Sequence, residues 1–352
     1  MKLFYLIFIT QLFFFISCDK SKEENFYEID LESTTESIHY SLFTDSVSYI
    51  TLNTNDSCIM SGIDRIYLSD NFLFVKDNKK AGILVFDLNG NFLTQINYYG
   101  NGANEFTSIN SFSIDKYAKK ICIYDGNTGK INRYTYNGLF TESIKISNII
   151  RDFAIIEAEH YLFIMPSYRK DMPSGIWIAD SLNNKQKELL SNIPKEYEFE
   201  FLFTQYNIAE NNIYYYDRNW DKLYKIDNDT AIISYNLNIK QAFPADIKKK
   251  SEPSASELNG HAMMANFSIS SNFLMLTYYS FEENPFKWVL IRKGSKNPII
   301  SERLENDIDH IQSSQEYIFF LNDSTWCRML DPSESDCNIT LQLLHIKNNI
   351  HS

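Results

Sequence analysis

The stretch 100–106 (GNGANEF) combines small residues with side chains that can bind a ligand. Asn101, Asn104 and Glu105 would offer amide and carboxylate groups to such a ligand. In the alternative interpretation, the glycines permit a tight chain crossing, Phe106 packs in the core, and Glu105 accepts hydrogen bonds from backbone amides. The spacing G-x-G-x-x-E lacks the third glycine of a dinucleotide fingerprint, and no helix follows. We favour the structural interpretation of this stretch.

Three arginines, Arg65, Arg133 and Arg218, are the cations that could bind an anionic ligand or support catalysis. Their convergence with histidines, carboxylates or a metal would favour a lyase or hydrolase. The sequence contains no G-x-S-x-G elbow and no phosphate-binding loop. A hydrolytic triad can assemble without a local motif. An enzyme is therefore the alternative to a binding protein.

Aspartates recur at one position of a repeated unit, as Asp77, Asp125 and Asp217. Repetition favours a structural role, since an aspartate that opens a turn can accept hydrogen bonds from the backbone amides ahead of it. A ring of such carboxylates could hold Ca²⁺, but the sequence has no EF-hand loop. The 6 histidines show no metal-ligand spacing. We expect no metal site and no cofactor, with Ca²⁺ as the one candidate.

The N-terminus has the features of an export signal. An early Lys2 precedes an apolar run of about 14 residues, which is short for a membrane span of roughly 20 and typical of a signal peptide. The four residues that end in Cys18 (FISC) resemble a lipobox, although Phe stands where Leu is usual. An ordinary signal peptide, or an uncleaved anchor with a chance cysteine, is the alternative. We predict a signal peptide over 1–17 and a lipidated tether over 18–25.

Composition limits the remaining classes. Phe, Trp and Tyr make up 15% of the 352 residues, which favours strands. The net charge of −12 makes nucleic acid an unsuitable partner, and we expect a monomer. The cysteines after Cys18 are too few for a disulfide scaffold in a chain of this size. Cys327 and Cys337 could pair, whereas Cys122 lies in an apolar pattern typical of a buried thiol.

An internal repeat organises the chain. Residues 72–96 align without a gap to residues 120–144, and residues 212–236 form a third copy. Each copy reads as three strands separated by an aspartate-opened turn and a two-residue turn. The two-residue turn is Asn-Gly in the first two copies, which is the strongest short hairpin signal. A fourth strand precedes each copy.

These repeats predict an all-β, six-bladed β-propeller of four-stranded antiparallel blades. The blades should start near residues 63, 109, 150, 203, 263 and 307, within a single domain over 26–352. We expect Val47–Leu52 or Asn338–Ile346 to complete the last blade, because open sheet edges invite aggregation. The loop at 100–106 would then lie on the face where the central channel opens. The polar segment 240–262 would be a lid, a contact for an acidic partner or a solvated loop.

Several stretches resemble a known family: FLFVKD (72–77), ILVFDLNGNFL (83–93), GNGANEF (100–106) and ICIYD (121–125). They are similar to the six-bladed β-propeller lipoproteins of Bacteroidetes, relatives of NHL-repeat proteins. Ala103 and Asn104 replace the Pro-Gly that is usual there. The charged stretch after Cys18 also resembles the surface-export signals of these lipoproteins. The resemblance implies an exported lipoprotein and no particular activity.

The sequence therefore predicts a protein of the cell envelope, lipid-anchored to the outer membrane on its periplasmic or outer side. We expect a binding or scaffold propeller whose ligand is a glycan, a peptide or another envelope protein. The alternative is a lyase or hydrolase with its active site at the mouth of the central channel. A cluster of histidine, arginine and carboxylate groups at that mouth would favour the enzyme.

Overall fold

The computed structural model describes most of the chain. The described residues are 25–54, 59–77, 79, 82–147, 149–158, 160–166, 175–179, 186–190, 197–199, 206–209, 212–227, 229–330 and 338–348. Cys18 and Cys337 lie outside these ranges, so neither the predicted lipid site nor the pairing of Cys337 has a structural description. In the ranges given, no helix is long and apolar enough to cross a membrane.

The strands follow one another in repeated groups of four. Three strands precede the first group: β1 (Asn25–Ile29), β2 (Ile38–His39) and β3 (Thr44–Leu52). The first blade contains β4 (Ile63–Ser69), β5 (Phe72–Asp77), β6 (Ile83–Asp87) and β7 (Phe92–Ile96). The second contains β8 (Ser111–Asp115), β9 (Lys120–Asp125), β10 (Lys130–Thr135) and β11 (Phe140–Lys145). The third contains β12 (Asp152–Glu157), β13 (His160–Met165), β14 (Gly175–Ala179) and β15 (Gln186–Leu190).

The second half continues the pattern. The fourth blade contains β16 (Tyr206–Ala209), β17 (Asn212–Asp217), β18 (Lys222–Asp227) and β19 (Thr230–Ile239), and the short helices α1 (Ala245–Lys248) and α2 (Ala255–Leu258) follow. The fifth contains β20 (Ala262–Ile269), β21 (Phe273–Ser280), β22 (Phe286–Arg292) and β23 (Ile299–Ser301). After β24 (Leu304–Glu305) come β25 (Phe319–Asn322), β26 (Thr325–Leu330) and β27 (Ile339–Ile346). The repeats thus form the predicted six-bladed propeller of antiparallel sheets.

The two ends of the chain close the ring together. In the sixth blade the strand order is β25-β26-β27-β3, and β3 pairs antiparallel with β27. The register joins Ile339 to Leu52 and Ile346 to Thr44. Both segments expected to complete this blade therefore belong to it, one as its third strand and one as its fourth.

An N-terminal strap, residues 25–43, holds the outer edges of the last three blades. Its strand β1 pairs parallel with β19 and makes the fourth blade five-stranded. Thr35 then bridges to Ser301 of the fifth blade, and β2 pairs with β24. The strap ends where β3 enters the sixth blade, so it links three consecutive sheets.

The turns between the third and fourth strands join adjacent blades. The Gly90 carbonyl accepts a hydrogen bond from the Asn53 amide at 2.8 Å, directly after the outer strand of the sixth blade. Gly90 has φ +80°, and a Cβ there would lie 1.9 Å from the carbonyl oxygen of Thr51. In the fourth blade an ion pair replaces this contact, with Lys187 of the third blade 2.6 Å from Asp229. The repeated turns are therefore part of the blade interfaces.

One expected strand is absent. The pattern at 308–312 predicts the first strand of the sixth blade, but these residues form a turn, and that strand is β25. The fully buried Asn306 organises the turn, since its amide donates to the carbonyl of Ile311 at 2.8 Å and to Asp309 at 2.6 Å. Its side-chain oxygen accepts the Ile308 amide at 3.1 Å. These side-chain bonds satisfy the backbone in place of a sheet.

Candidate functional site

A cavity of about 220 Å³ occupies the centre of the ring. The first strand of every blade contributes to its lining, which identifies it as the central channel. The lining runs from Asp64, near the start of β4, to Ser69 at the end of that strand, and includes Lys116 directly after β8. The walls are mainly apolar and consist of Ile66, Leu68, Ile114, Ile155, Ile156, Ile213, Phe319, Phe320 and Leu321.

Arg65 is held at one end of this cavity by Asp152, the first residue of β12. The Nη1 and Nη2 atoms of Arg65 lie 3.0 and 2.6 Å from the two carboxylate oxygens. The two side chains are only 17% and 11% exposed. Ser111 and the backbone amide of Phe153 also donate to the carboxylate. The result is a bidentate, mostly buried ion pair between the first and third blades.

Two tyrosines extend these contacts across the channel axis. The hydroxyl oxygens of Tyr67 and Tyr206 lie 2.8 Å apart, and their blades face each other in a ring of six. Tyr206 donates to the carbonyl of Phe153 at 2.6 Å, so Tyr67 is the donor to Tyr206. The guanidinium carbon of Arg65 lies 5.6 Å from the centre of the Tyr206 ring. We name this set the channel network: Arg65, Tyr67, Ser111, Asp152 and Tyr206.

The pKa values of Arg65, Tyr67 and Tyr206 in the channel network are shifted away from neutrality. Burial lowers the pKa of Arg65, but Asp152, Tyr67 and Tyr206 together outweigh it, and the pKa lies well above its ordinary value. Burial raises the pKa of Tyr67 and places that of Tyr206 well above its ordinary value. These side chains therefore act as fixed hydrogen-bond partners rather than as an acid or base near pH 7.

Arg133 lies at the interface of the second and third blades, outside the channel. It is 5% exposed. Its Nη1 lies 3.0 Å from Glu142 Oε1, and its Nη2 lies 3.7 Å from Asp115 Oδ2. The guanidinium carbon is 5.8 Å from the centre of the Tyr161 ring. Arg133 therefore joins blades, and the structure does not bring it to Arg65.

Arg218 is also remote from the channel, in the turn between β17 and β18. Burial, together with the charge of Arg151, lowers its pKa to about 9. The carboxyl groups of Asp217 and Asp221 lie in the same turn, and burial raises the pKa of each to about 6. The three arginines predicted as candidate ligand contacts thus occupy three separate places.

The segment 240–262 packs over that turn. Lys248 of α1 donates to the carbonyl of Asn219 at 2.8 Å, and its charge acts on Asp217 and Asp221. Phe243 and Ile247 are buried with Met263 in a small apolar cluster. The segment is therefore docked on the fourth and fifth blades, away from the channel lining.

The loop Gly100–Phe106 has the compact form of the structural interpretation. Glu105 accepts the Gly102 amide at 2.7 Å, and a Cβ at Gly100 would lie 2.0 Å from the Glu105 carboxylate. Phe106 is fully buried, whereas Asn101 and Asn104 are exposed. Glu105 therefore fixes the loop and leaves the two amides accessible.

This loop precedes β8, whereas the channel lining extends to the residues after β8. The loop and the cavity therefore approach opposite faces of the ring. Beside the loop, Tyr98 and Tyr99 are 39% and 45% exposed. Tyr98 stacks on Tyr134 with 5.9 Å between ring centres, and the Tyr99 ring meets Phe106 edge-on at 4.8 Å. We name the accessible set the aromatic–amide surface: Tyr98, Tyr99, Asn101 and Asn104.

The repeated aspartates tie their turns to the incoming chain. Asp77 accepts the Ser61 amide at 2.7 Å, and Asp125 accepts the Thr107 amide at 2.7 Å. Each bond joins the second strand of a blade to the segment that enters its first strand. Among the residues with described positions, no group of three or more His, Cys, Asp or Glu could hold a metal ion.

Two cysteines are buried, free thiols in the described structure, Cys122 and Cys327. Burial raises the pKa of Cys122 to about 12 and raises that of Cys327 as well. Neither thiol is therefore a nucleophile near neutral pH, because the thiolate is the reactive form.

Sequence reasoning found Arg65 but missed Asp152, Tyr67 and Tyr206. The weak signal was position, because Asp152 and Ser111 are polar residues that open the first strands of their blades, DFAIIE and SFSID. A polar residue at the start of an inner strand points to the channel only once the blade order is known.

Residues 26–339 match a family profile described as a domain of unknown function, DUF4934. The chain belongs to the DUF4934 family. No curated protein matches this DUF4934 chain. Its fold is shared with a Bacteroides fragilis protein described as exported, at 16% identity and a TM-score of 0.73, over 92% of this chain and 100% of the other. A DUF4221 member from Bacteroides vulgatus matches at 12% identity and a TM-score of 0.57, over 87% and 98% of the two chains.

Proposed function

We propose that this DUF4934 protein is a binding propeller rather than an enzyme. The observation that carries the proposal is that the polar groups of the channel network bind one another, with Arg65 ion-paired to Asp152. Arg133 and Arg218 lie elsewhere in the fold. A lyase or hydrolase in the channel would need an acid or base poised near the working pH. In the channel network the pKa values of Arg65, Tyr67 and Tyr206 are instead raised, which moves them further from the working pH.

The proposed location is the cell envelope, with a lipid on Cys18 holding the propeller at the outer membrane. The signal-like residues 1–17, the lipobox-like FISC and the charged tether support it. The Bacteroides fragilis protein described as exported adds support for export. A relationship to NHL-repeat proteins belongs to the same proposal, and its support is the repeat pattern.

The proposed ligand is a glycan that binds to the aromatic–amide surface. The exposed parts of Tyr98 and Tyr99 offer apolar ring surface beside a polar hydroxyl group. Asn101 and Asn104 add amide donors and acceptors that suit sugar hydroxyls. Glu105 and Tyr134 hold the loop in place, since Tyr134 donates to the Asn104 carbonyl at 2.9 Å. A preformed loop reduces the entropy lost on binding.

A glycan array with the soluble chain 19–352, which contains every strand of the ring, tests this proposal. We expect Tyr99→Ala and Asn101→Ala to weaken glycan binding at least fivefold. Tyr117→Ala is the matched control, because Tyr117 is 44% exposed against 45% for Tyr99 and lies at the other end of the second blade. If a peptide library or an envelope protein binds and no glycan does, that ligand would replace the glycan in this proposal. Equal losses of glycan binding in Tyr99→Ala, Asn101→Ala and Tyr117→Ala would exclude the aromatic–amide surface as the binding site.

Cys18→Ala tests the anchor separately. Without the lipidated thiol, the processed protein should move from the membrane fraction to the soluble fraction, because stable anchoring needs more than one acyl chain and the thiol-linked chains are lost. Fractionation with mass analysis of the N-terminus measures it. A processed Cys18→Ala protein that stays with the membrane would contradict the anchor and leave the glycan proposal untouched.

A further inference from the structure

Every charged side chain described in the lining of the central channel already has an interaction partner. Arg65 is ion-paired with Asp152, and Asp64 is ion-paired with Lys76. Lys116, the third charged residue of the lining, contacts an aromatic ring and has a further interaction. A charged ligand would lose its hydration in the channel without meeting a free counter-charge, which is costly. The lining therefore favours an uncharged ligand.

The walls of the channel are mainly aliphatic and aromatic. Leu68, Ile156 and Phe319 line the cavity and are only half-buried, instead of being packed fully in a blade core. Contact between water and apolar side chains is unfavourable, and a ligand that displaces this water gains free energy in proportion to the area it covers. The walls therefore favour a ligand whose body is apolar.

Asn266 of β20 offers a hydrogen-bonding group among these apolar walls. It lines the cavity and is the one residue of β20 that is not fully buried. Its side-chain amide makes no hydrogen bond with the residues that the structure describes, whereas Asn207 in the same lining donates to the Phe267 carbonyl at 2.5 Å. A primary amide can donate to a carbonyl group and can donate to or accept from a hydroxyl group. Asn266 therefore favours a ligand with one such neutral polar group.

The size of the cavity limits the ligand. A cavity of roughly 150 Å³ can hold benzene. At about 220 Å³, this channel has room for a body roughly half as large again as benzene. That volume excludes a disaccharide or a peptide and suits a benzene ring, or an aliphatic body of similar size, with one short substituent.

We propose that the central channel binds a small uncharged molecule with an apolar body and one hydroxyl or carbonyl group, which forms a hydrogen bond with Asn266. The polar group turns to Asn266 rather than to Tyr67 and Tyr206, because their hydroxyl groups already bind each other and the Phe153 carbonyl. The site is distinct from the aromatic–amide surface, which lies at the other face of the ring. It therefore adds a second ligand to the proposed function and does not depend on the glycan.

Ligand-observed NMR titration of chain 19–352 with benzyl alcohol, toluene, benzoate and benzylamine at neutral pH tests the proposal. The four probes share one ring and differ in the substituent. We expect benzyl alcohol and toluene to bind within about fivefold of each other, because the hydrogen bond to Asn266 offsets the lost hydration of the hydroxyl group. Benzoate and benzylamine, which are charged at this pH, should bind at least about tenfold more weakly. A charged probe that binds as tightly as benzyl alcohol, or no binding of either uncharged probe, would overturn the proposal.

Asn266→Leu tests the polar contact, because leucine keeps the size of the side chain and removes its amide. It should weaken binding of benzyl alcohol about threefold to tenfold, the range for one lost hydrogen bond, and should not weaken binding of toluene. Asn284→Leu is the matched control, because Asn284 belongs to the same blade, is exposed and does not line the channel. Equal losses of benzyl alcohol and toluene binding in Asn266→Leu would exclude the predicted hydrogen bond.

Leu68→Trp tests the location, because the larger side chain fills the channel and should abolish binding of both uncharged probes. Leu93→Trp is its control, since Leu93 lies on the outer strand β7 of the same blade and is 47% exposed. Ile156→Trp fills the channel from another blade and keeps the test decisive if Leu68→Trp fails to fold. Benzyl alcohol that binds folded Leu68→Trp or Ile156→Trp as tightly as the parent would place the site outside the channel and overturn the proposal.

Discussion

The Arg65–Asp152 pair is the residue contact on which the channel network depends. Asp152→Asn leaves the guanidinium almost buried without its counter-charge, which typically costs 3–5 kcal/mol. We expect a loss of about that size in the free energy of unfolding, measured with urea at pH 7. Asp70→Asn is the control, because its partner Lys119 is 3.6 Å away and both side chains are well exposed. It should cost less than about 1 kcal/mol; similar losses in both variants would contradict this role.

Asp217 and Asp221 should make stability depend on pH. Burial raises the pKa of each from 3.8 to about 6 in the folded protein. The folded state then holds these protons more tightly, so the contribution is greatest below pH 4 and is lost as the pH rises through about 6. Two pKa units correspond to roughly 3 kcal/mol for one such group. Asp221→Asn should flatten the fall in unfolding free energy between pH 5 and 7.

The exposed Asp227→Asn in the same blade serves as the control for that titration. The charge of Lys248 acts on both aspartates, that of Lys222 acts on Asp217, and that of Asp217 acts on Asp221. An Asp221→Asn profile that runs parallel to the parent's between pH 5 and 7 would disprove the raised pKa.

At the scale of elements, Gly90 in the Asn-Gly turn of the first blade has a left-handed conformation and also contacts the sixth blade. Gly90→Ala should cost about 1–2 kcal/mol for a left-handed alanine and about 1–3 kcal/mol more for pushing against Thr51. Gly294→Ala is the matched control, with φ +82° and no atom within 4 Å of the added Cβ. Thermal unfolding should therefore separate the two variants, and equal melting temperatures would show that the interface contact is unimportant.

The elements that the sequence predicts well are those whose signal is local. Asn89-Gly90 and Asn137-Gly138 predict hairpin turns, and the hairpins are present. Only the glycines take positive φ, at +80° and +84°, so the expected two-residue turn with φ > 0 at both positions is not the turn that forms. The stretch 308–312 was predicted wrongly because its alternation suits a strand, while Asn306 supplies the hydrogen bonds that hold a turn. Pairing of Arg65 with Asp152 was beyond prediction, since it depends on how separate blades face the axis.

At the scale of the whole molecule, the strap and β3 decide whether the ring stays closed. Residues of the strap such as Tyr27, Ile38 and Phe43 are almost fully buried against three blades. Each buried apolar side chain contributes about 1.5–3 kcal/mol. A chain that begins at residue 44 should therefore aggregate or melt far below one that begins at residue 25. Size-exclusion chromatography and calorimetry compare them, and equal melting temperatures would refute the role of the strap.

The parallel pairing of β1 with β19 also decides how the propeller would respond to a pull on its N-terminus. The strand is registered residue by residue from Asn25 opposite Tyr235 to Ile29 opposite Ile239. Tension applied along β1 loads these pairs in shear, all at once, instead of peeling them one after another. The ion pair between Asp30 and Lys240, at 2.7 Å, reinforces the far end of that strand. A propeller tethered by its N-terminus would thus carry mechanical load on its fourth blade before any force reaches the seam that closes the ring.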